Sequence, residues 1–375
     1  MQWHEMGWPV LWDPFNILEY PVVPVTYLLD AAGRVLVIQP LLERIDDIQR
    51  RILDHPSGPA DEPKPNDLAA VIGPEITSTP AGDAGPITWS DHAMSLAIWG
   101  GPDRLDEAVA AASRAEEGSA DPVVSFRLGV VLRMRYDSAH RQSGDFAAAV
   151  AAWTRALDTD PNQYIWRRRL QQYGPRLAKP YPFYDWVPKA RHDIESRGEQ
   201  PTELVVKPHG AEFAGPATEV TSGAQMEPVA EPDPDARVQA DRKGLVDVET
   251  VLIPPAPLPG EAVRVHLILT PNHTLDAHWN NEAGYSELWV NPPQGWRLDQ
   301  NHQLLAVGPR DVSDETRHLE FEVKVPESPD TDNTLTGYLL YYACEGATGV
   351  CVYHRQDLHI PIPIGINQET AGLAG

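Results

Sequence analysis

The spacing of apolar residues changes along the chain and divides it into three kinds of unit. Near the N-terminus, β-branched and aromatic residues run from 22 to 30, and a second apolar run covers 35–38. A glycine lies in the turn between them, so this pattern predicts a β-hairpin. Aliphatic residues then recur at helical spacing, which predicts a helix over 41–53.

An alanine-rich segment over residues 144–162 predicts a helical unit. Phe146, Val150 and Trp153 recur on one side of it, and the alanines between them let a neighbouring helix approach closely. The segment closely resembles the second helix and exit turn of a tetratricopeptide repeat, and a weaker copy lies upstream of it. That resemblance implies paired helices with a concave surface that binds a protein ligand. A short helical spacer packed on its neighbours is the alternative.

From residue 247 onward the spacing of apolar residues is two. Apolar and polar residues alternate over 263–269 and over 319–325, which predicts strands with one face in a core and one in water. Further strands are predicted at 247–253, 286–290, 303–307, 334–343 and 358–364. About seven short strands separated by turns indicate an antiparallel immunoglobulin-like sandwich. The prolines at 361 and 363 lack an amide proton, so the last strand belongs at a sheet edge.

Two segments rich in Pro and polar residues separate these units and predict extended linkers. The sequence therefore predicts a multidomain α+β chain: a partial α/β unit over 1–54, a linker over 55–87, helical repeats over 88–194, an acidic linker over 195–240, the sandwich over 241–366 and a tail over 367–375. An aromatic cluster at 181–186 is interpreted as a cap on the helical stack.

The charge balance narrows the range of partners. Lys plus Arg number 30 against 54 for Asp plus Glu, a net charge of −24, which repels nucleic-acid phosphates and anionic lipids. The basic run 167–169 is interpreted as a solvated helix face. No apolar stretch is long enough to insert into a membrane, and no secretory signal is recognisable. The sequence as written predicts the cytoplasm, whereas a chain whose start lies further upstream is predicted to be exported or periplasmic. We expect no cofactor.

Cys344 and Cys351 are the two cysteines of the chain, and six residues separate them. The glycine-containing loop between two predicted strands brings them to the distance that a disulfide requires. Such a bridge, flanked by Tyr341, Tyr342 and Tyr353, is either a static staple or a labile exchanging pair.

The alternative chemistry at these cysteines is metal binding. Cys344, Cys351 and His354 offer three ligands, but structural zinc normally recruits four at characteristic spacings. His273, His278 and His302 form a looser set, and we expect them to be exposed on loops of the sandwich. The sequence therefore favours a disulfide and predicts no metal.

Residues 7–53 resemble the C-terminal half of a thioredoxin-like redoxin domain, through the run 22–30 and the Asp-x-x-Gly-Arg turn that ends it. The resemblance implies that Pro24 is the cis-proline that faces the redox centre of such folds. It also implies that the strand and helix with the nucleophilic cysteine lie before Met1. This half therefore lacks its catalytic thiol.

Residues 245–365 resemble the N-terminal domain of the thiol:disulfide interchange protein DsbD family. The resemblance rests on the strand and turn 265–275, the segment 292–296, the Tyr-rich strand that ends at Cys344 and the closing strand 360–363. It implies that Cys344 and Cys351 exchange electrons with a thioredoxin-like or membrane thiol reductase partner, or with the missing redoxin half. The sequence thus predicts a thiol–disulfide redox component. The alternative is a non-enzymatic repeat scaffold with a structural disulfide.

Overall fold

The computed structural model describes residues 13–17, 27–29, 35–38, 78–175, 194–198, 200 and 230–365, with gaps at 306, 309, 330–332 and 347–348. Over 27–29 and 35–38 it describes the backbone alone. Helices and strands are both present, so the chain has the mixed α+β class that the sequence predicts. The chain divides into two compact units, and nearly all of the helical residues belong to the first while both large sheets belong to the second.

The N-terminal hairpin is present. Strand β1, Tyr27–Leu29, pairs antiparallel with β2, Val35–Ile38, and the register shifts by one residue at its end. Pro24, the helix over 41–53, most of both linkers and the aromatic cluster at 181–186 lie outside the described residues. The predictions made for them stay predictions.

Five α-helices lie in residues 78–175. They are α1 Pro86–Trp99, α2 Leu105–Glu117, α3 Pro122–Tyr136, α4 Asp145–Thr159 and α5 Tyr164–Gln171. The carboxylate of Asp121 caps α3 by accepting the Val123 N–H at 2.9 Å, and Pro122 occupies the first turn, where no amide proton is needed. Within the described residues, no helix combines the length and the apolar character that crossing a bilayer requires.

A close contact and a buried ion pair hold α2, α3 and α4 together. A Cβ at Gly129 would lie 2.4 Å from Nε1 of Trp153, so glycine lets α3 and α4 approach. Trp153 is fully buried, as the predicted packing of a neighbouring helix against it requires. Arg135 donates to Asp145 at 2.6 Å and to Asp106 at 2.9 Å, and the Asp145 side chain is only 2% exposed. This guanidinium therefore links three helices.

The basic run on α5 is partly structural. Arg167 is buried, and its guanidinium donates to the carbonyl oxygen of Pro161 at 3.1 Å. The interpretation of this run as a solvated face is wrong for Arg167, because the side chain satisfies the carbonyl at the turn before its own helix.

The second unit is built from two sheets. Their strands are β3 Gln239–Ala240, β4 Val246–Ile253, β5 Ala262–Pro271, β6 Ala277–Asn280, β7 Ser286–Asn291, β8 Arg297–Leu298, β9 His302–Leu305, β10 Val312–Ser313, β11 Arg317–Lys324, β12 Thr334–Glu345 and β13 Val352–Pro361. One sheet has the order β10-β6-β12-β13-β3, with β7 also on β12 and β9 on β7. The other has the order β4-β5-β11-β8. Pairing is antiparallel except between β13 and β3.

The two sheets share one apolar core. Val265 and Phe321 reach it from the four-stranded sheet, and Trp279, Leu339 and Tyr341 reach it from the other. The rings of Trp279 and Tyr341 meet edge to face with centroids 5.9 Å apart. Alternate residues of β12 thus point inward, and the residues between them point away from this core.

Three features of the second unit differ from the predicted pattern. The face of β5 predicted to be in water is buried, with Arg264 and His266 each 5% exposed. Both side chains bind Glu320 of the neighbouring strand β11, and the second ring nitrogen of His266 lies 2.8 Å from the carbonyl oxygen of Tyr173. Strand β13 begins at Val352, six residues before its predicted start at 358. Strand β6 is not among the predicted strands.

Candidate functional site

The β12–β13 hairpin places the two cysteines opposite each other. Tyr342 pairs with Tyr353 and Ala343 with Val352, so the next positions toward the loop are Cys344 and Cys351. Their sulfurs are bonded at 1.94 Å, and their Cα atoms are 4.1 Å apart. The bridge therefore closes the loop end of the hairpin.

A histidine lies beside this bridge on the third strand. In the ladder between β6 and β12, His278 is directly opposite Cys344. Paired residues of neighbouring antiparallel strands project from the same face of a sheet. A ring nitrogen of His278 and the sulfurs of Cys344 and Cys351 all lie within 4.8 Å of one another. The sheet thus sets a nitrogen and two sulfurs in one row across three strands.

The two cysteines differ in their exposure to solvent. Cys344 is 1% exposed, whereas Cys351 is exposed and follows Val350, which is 81% exposed. A nucleophile that arrives from solvent meets Cys351 first. The leaving sulfur would then be that of Cys344, which is protected from solvent.

The hydrogen bonds of His278 define its tautomer. Its Nδ1 lies 3.3 Å from the carbonyl oxygen of Asp276, and a carbonyl can only accept, so Nδ1 carries the proton. In the neutral ring the lone pair is then on Nε2. The same Asp276 oxygen accepts the N–H of Gly346, in the hairpin loop, at 3.0 Å.

The three tyrosines predicted to flank the pair lie on two different faces. Tyr342 and Tyr353 share the face of the disulfide, and their rings stack with centroids 4.4 Å apart. Burial, with the charge of Glu287 next in weight, raises the pKa of Tyr353 to about 12. Tyr341 instead points into the core, away from the sulfurs.

Tyr341 belongs to a polar group on the inner side of the sheet. Its hydroxyl donates to the carboxylate of Asp241 at 2.8 Å, and burial raises its pKa. Burial alone would raise the pKa of Asp241, but hydrogen bonds from Tyr341 and from the N–H groups of residues 243–245 lower it. This network fixes β12 against the segment before β4 and takes no part in the sulfur site.

The histidines considered as metal ligands do not all lie beside the cysteines. His354 pairs with Tyr341, is buried on the opposite face from the cysteines, and has a pKa lowered by burial. The set Cys344, Cys351 and His354 is therefore not brought together. His302 lies 3.2 Å from Glu287, and His273 is exposed in a 3₁₀ turn.

Of the looser histidine set, His278 is the member that joins the cysteines. The strand that carries it, β6, is four residues long, and its partner β12 is far away in sequence. One signal was available: Ala277 and Trp279 alternate with His278 and Asn280, which is the pattern of a strand with one buried face. The pairing of that strand with the cysteine strand has no local signature.

Comparison with known proteins leaves the chain without an assigned family. No family model matches it, and no curated protein matches it. Among solved structures, it is similar to Spo0M, a sporulation control protein of Bacillus subtilis, with a TM-score of 0.17 and 16% identity over 35% of this chain and 56% of that one. It is also similar to an ASH/PapD-like domain of human CEP192, with a TM-score of 0.16 and 10% identity over 44% of this chain and all of that domain. Neither likeness supports a conclusion about function.

Proposed function

We propose that this protein is a thiol–disulfide exchange component whose working pair is Cys344 and Cys351. The observation that carries the proposal is the asymmetry of the bridge, which joins an exposed cysteine to a buried one beside an imidazole. Exchange requires that a partner thiolate reach one sulfur, and that the other leave. Cys351 suits the first role and Cys344 the second.

The exchange proceeds in two steps. A thiolate of the partner attacks Sγ of Cys351, forms a mixed disulfide with it, and releases Cys344 as a thiolate. The partner's second thiolate then attacks the partner sulfur of that mixed disulfide and releases Cys351. The partner loses two electrons and becomes a disulfide, while Cys344 and Cys351 gain two electrons and two protons. The reverse sequence oxidises the pair.

His278 serves the leaving sulfur. A thiolate at Cys344 is formed where solvent is excluded, so its charge is costly unless a cation or proton donor is close. A protonated His278 ring, held by Nδ1 on the Asp276 carbonyl, would place a positive charge beside Cys344, because a ring nitrogen lies within 4.8 Å of the sulfur. In the reverse direction the neutral ring accepts the Cys344 proton.

The finer architecture proposed with this function follows the sequence resemblances. The two-sheet unit is an immunoglobulin-like sandwich of the kind found at the N-terminus of the DsbD family, and the helices are tetratricopeptide-like. The N-terminal hairpin belongs to a redoxin-like half in which Pro24 faces a redox centre. The partner is a thioredoxin-like or membrane thiol reductase, and the helical unit binds a protein ligand. The shared core of the two sheets and the close α3–α4 pair support this proposal.

The reduction potential of the pair tests the function. The protein is equilibrated in metal-free thiol–disulfide buffers of graded potential, and its free thiols are counted after alkylation. An exchanging pair has a potential above about −300 mV. A lower value would mean a structural bridge on a non-enzymatic scaffold and would end the proposal.

Two matched variants test the roles of the sulfurs. Cys344→Ser leaves the exposed Cys351 thiol, and Cys351→Ser leaves the buried Cys344 thiol. The first should form a mixed disulfide with an aromatic disulfide reagent at least about tenfold faster than the second, because access limits the reaction of a buried thiol. Equal rates would refute the assignment of Cys351 as the attacked sulfur.

A further inference from the structure

We propose that the reduced form of this site binds a thiophilic metal ion, Zn²⁺, through Cys344, Cys351 and His278. Two sulfurs and one imidazole nitrogen within 4.8 Å of one another form the donor set of a three-ligand zinc site with one open position. The inference rests on the proposed function only for the source of reducing equivalents, since the bridge must first be opened.

The geometry of the sheet suits the ion. Tetrahedral zinc with bonds of about 2.3 Å to sulfur holds two thiolates about 3.8 Å apart. Directly opposed residues of antiparallel strands have Cβ atoms about 4.5–5.5 Å apart, so the opened thiolates span that distance without a change of register. Cys344 is opposite Cys351 on one side and His278 on the other, and the ladders on both sides fix the order of the ligands.

The hydrogen bonding around His278 prepares it as a ligand. Metal-binding histidines donate their second ring N–H to a carbonyl or carboxylate, which fixes the tautomer and the ring orientation. The carbonyl oxygen of Asp276 accepts such a hydrogen bond from Nδ1 at 3.3 Å, so the lone pair on Nε2 is available to the ion. Because Cys351 is exposed, the fourth position is open to water.

Binding follows reduction in a balanced sequence. A dithiol or phosphine reductant supplies two electrons and opens the disulfide to two thiols. The ion then displaces two protons, one from each thiol, and forms two metal–thiolate bonds. While the ion is bound, both sulfurs are ligands and neither attacks a disulfide, so zinc holds the pair in its reduced state and suspends exchange.

The test uses Co²⁺ as the probe on the full-length protein, reduced with a phosphine that is then removed under anaerobic conditions. One Co²⁺ per chain should bind, with thiolate-to-cobalt charge-transfer absorption, tetrahedral ligand-field bands, displacement by Zn²⁺ and release of two protons. The oxidised protein should show no such absorption.

Variants assign the ligands. Cys344→Ser/Cys351→Ser should abolish the charge-transfer band, and His278→Asn should weaken Co²⁺ binding at least about tenfold. The matched control His359→Asn, an exposed histidine of β13, should bind as the unmodified protein does. Equal binding by His278→Asn and His359→Asn, or no charge-transfer band in the reduced protein, would overturn the inference.

The outcomes separate the two proposals. A reduction potential above about −300 mV in metal-free buffer, with no Co²⁺ charge-transfer band, would support exchange and rule out the metal site. A potential below about −300 mV with a Co²⁺ band after chemical reduction would end exchange and leave the metal site standing.

Discussion

A protein that exchanges electrons through Cys344 and Cys351 must stay folded when the bridge is open, and this can be tested by reduction alone. The bridge joins residues seven apart, so it closes a loop of eight residues in the unfolded chain. The chain-entropy relation gives a loop of that size a stabilisation of about 2.5 kcal/mol. Ten registered cross-strand pairs between β12 and β13, backed by the shared core, do not depend on the bridge.

The assay is hydrogen exchange resolved by peptide, on oxidised and reduced protein in metal-free buffer. Opening free energies of the β12 and β13 amides should fall by no more than about 2.5 kcal/mol, which corresponds to exchange faster by up to about 70-fold. The control is the variant Cys344→Ala/Cys351→Ala, in which reductant should change nothing. Loss of protection throughout both strands on reduction would show that the bridge is required for the fold, and would refute the reasoning.

Two further predictions concern packing and acid stability. Gly129→Ala should destabilise the helical unit by about 2 kcal/mol in urea denaturation followed by helical circular dichroism, because the clash with Trp153 outweighs a helix-propensity gain of about 1 kcal/mol. Gly82→Ala, which meets no atom within 4 Å, should be near neutral, and equal effects would contradict the packing argument. The hydrogen bond with His266 lowers the pKa of Glu320 to about 2, so its contribution is present above the ordinary pKa of 4.5 and is lost as pH falls toward 2. Since the Glu320 side chain is 41% exposed, we expect Glu320→Gln to lower the free energy of unfolding by only about 1 kcal/mol at neutral pH. The same variant should lose less stability than the unmodified protein as the pH falls from 4.5 to 2. An unchanged dependence of stability on pH would argue against this ion cluster.

The sequence was most informative where the deciding contacts are local. The glycine-containing loop between two strand patterns predicted that Cys344 and Cys351 meet, and the two strands that pair here are neighbours in sequence. Alternation along the strand also separates Tyr342, on the face of the sulfurs, from Tyr341, in the core. Because both tyrosines are close to Cys344 in sequence, both were predicted to flank the pair. Only every second residue of a strand lies on the same face, however, so Tyr342 flanks the sulfurs and Tyr341 does not.

The rest of the site depends on contacts between residues distant in sequence. His278 meets Cys344 only through the pairing of β6 with β12, which no local pattern specifies. Arg264 likewise binds Glu320, which is on another strand. Polar residues in alternating positions normally indicate a water-facing side, but this face of β5 is buried and its polar side chains pair across strands and with the carbonyl oxygen of Tyr173.

The carbonyl oxygen of Asp276 accepts hydrogen bonds from both the His278 ring and the N–H of Gly346. A single backbone atom therefore joins the imidazole mechanically to the turn that follows Cys344. Any displacement of that turn when the sulfurs separate is transmitted to the ring. The imidazole resonances of His278 in an NMR spectrum should therefore report whether the two sulfurs are bonded or apart.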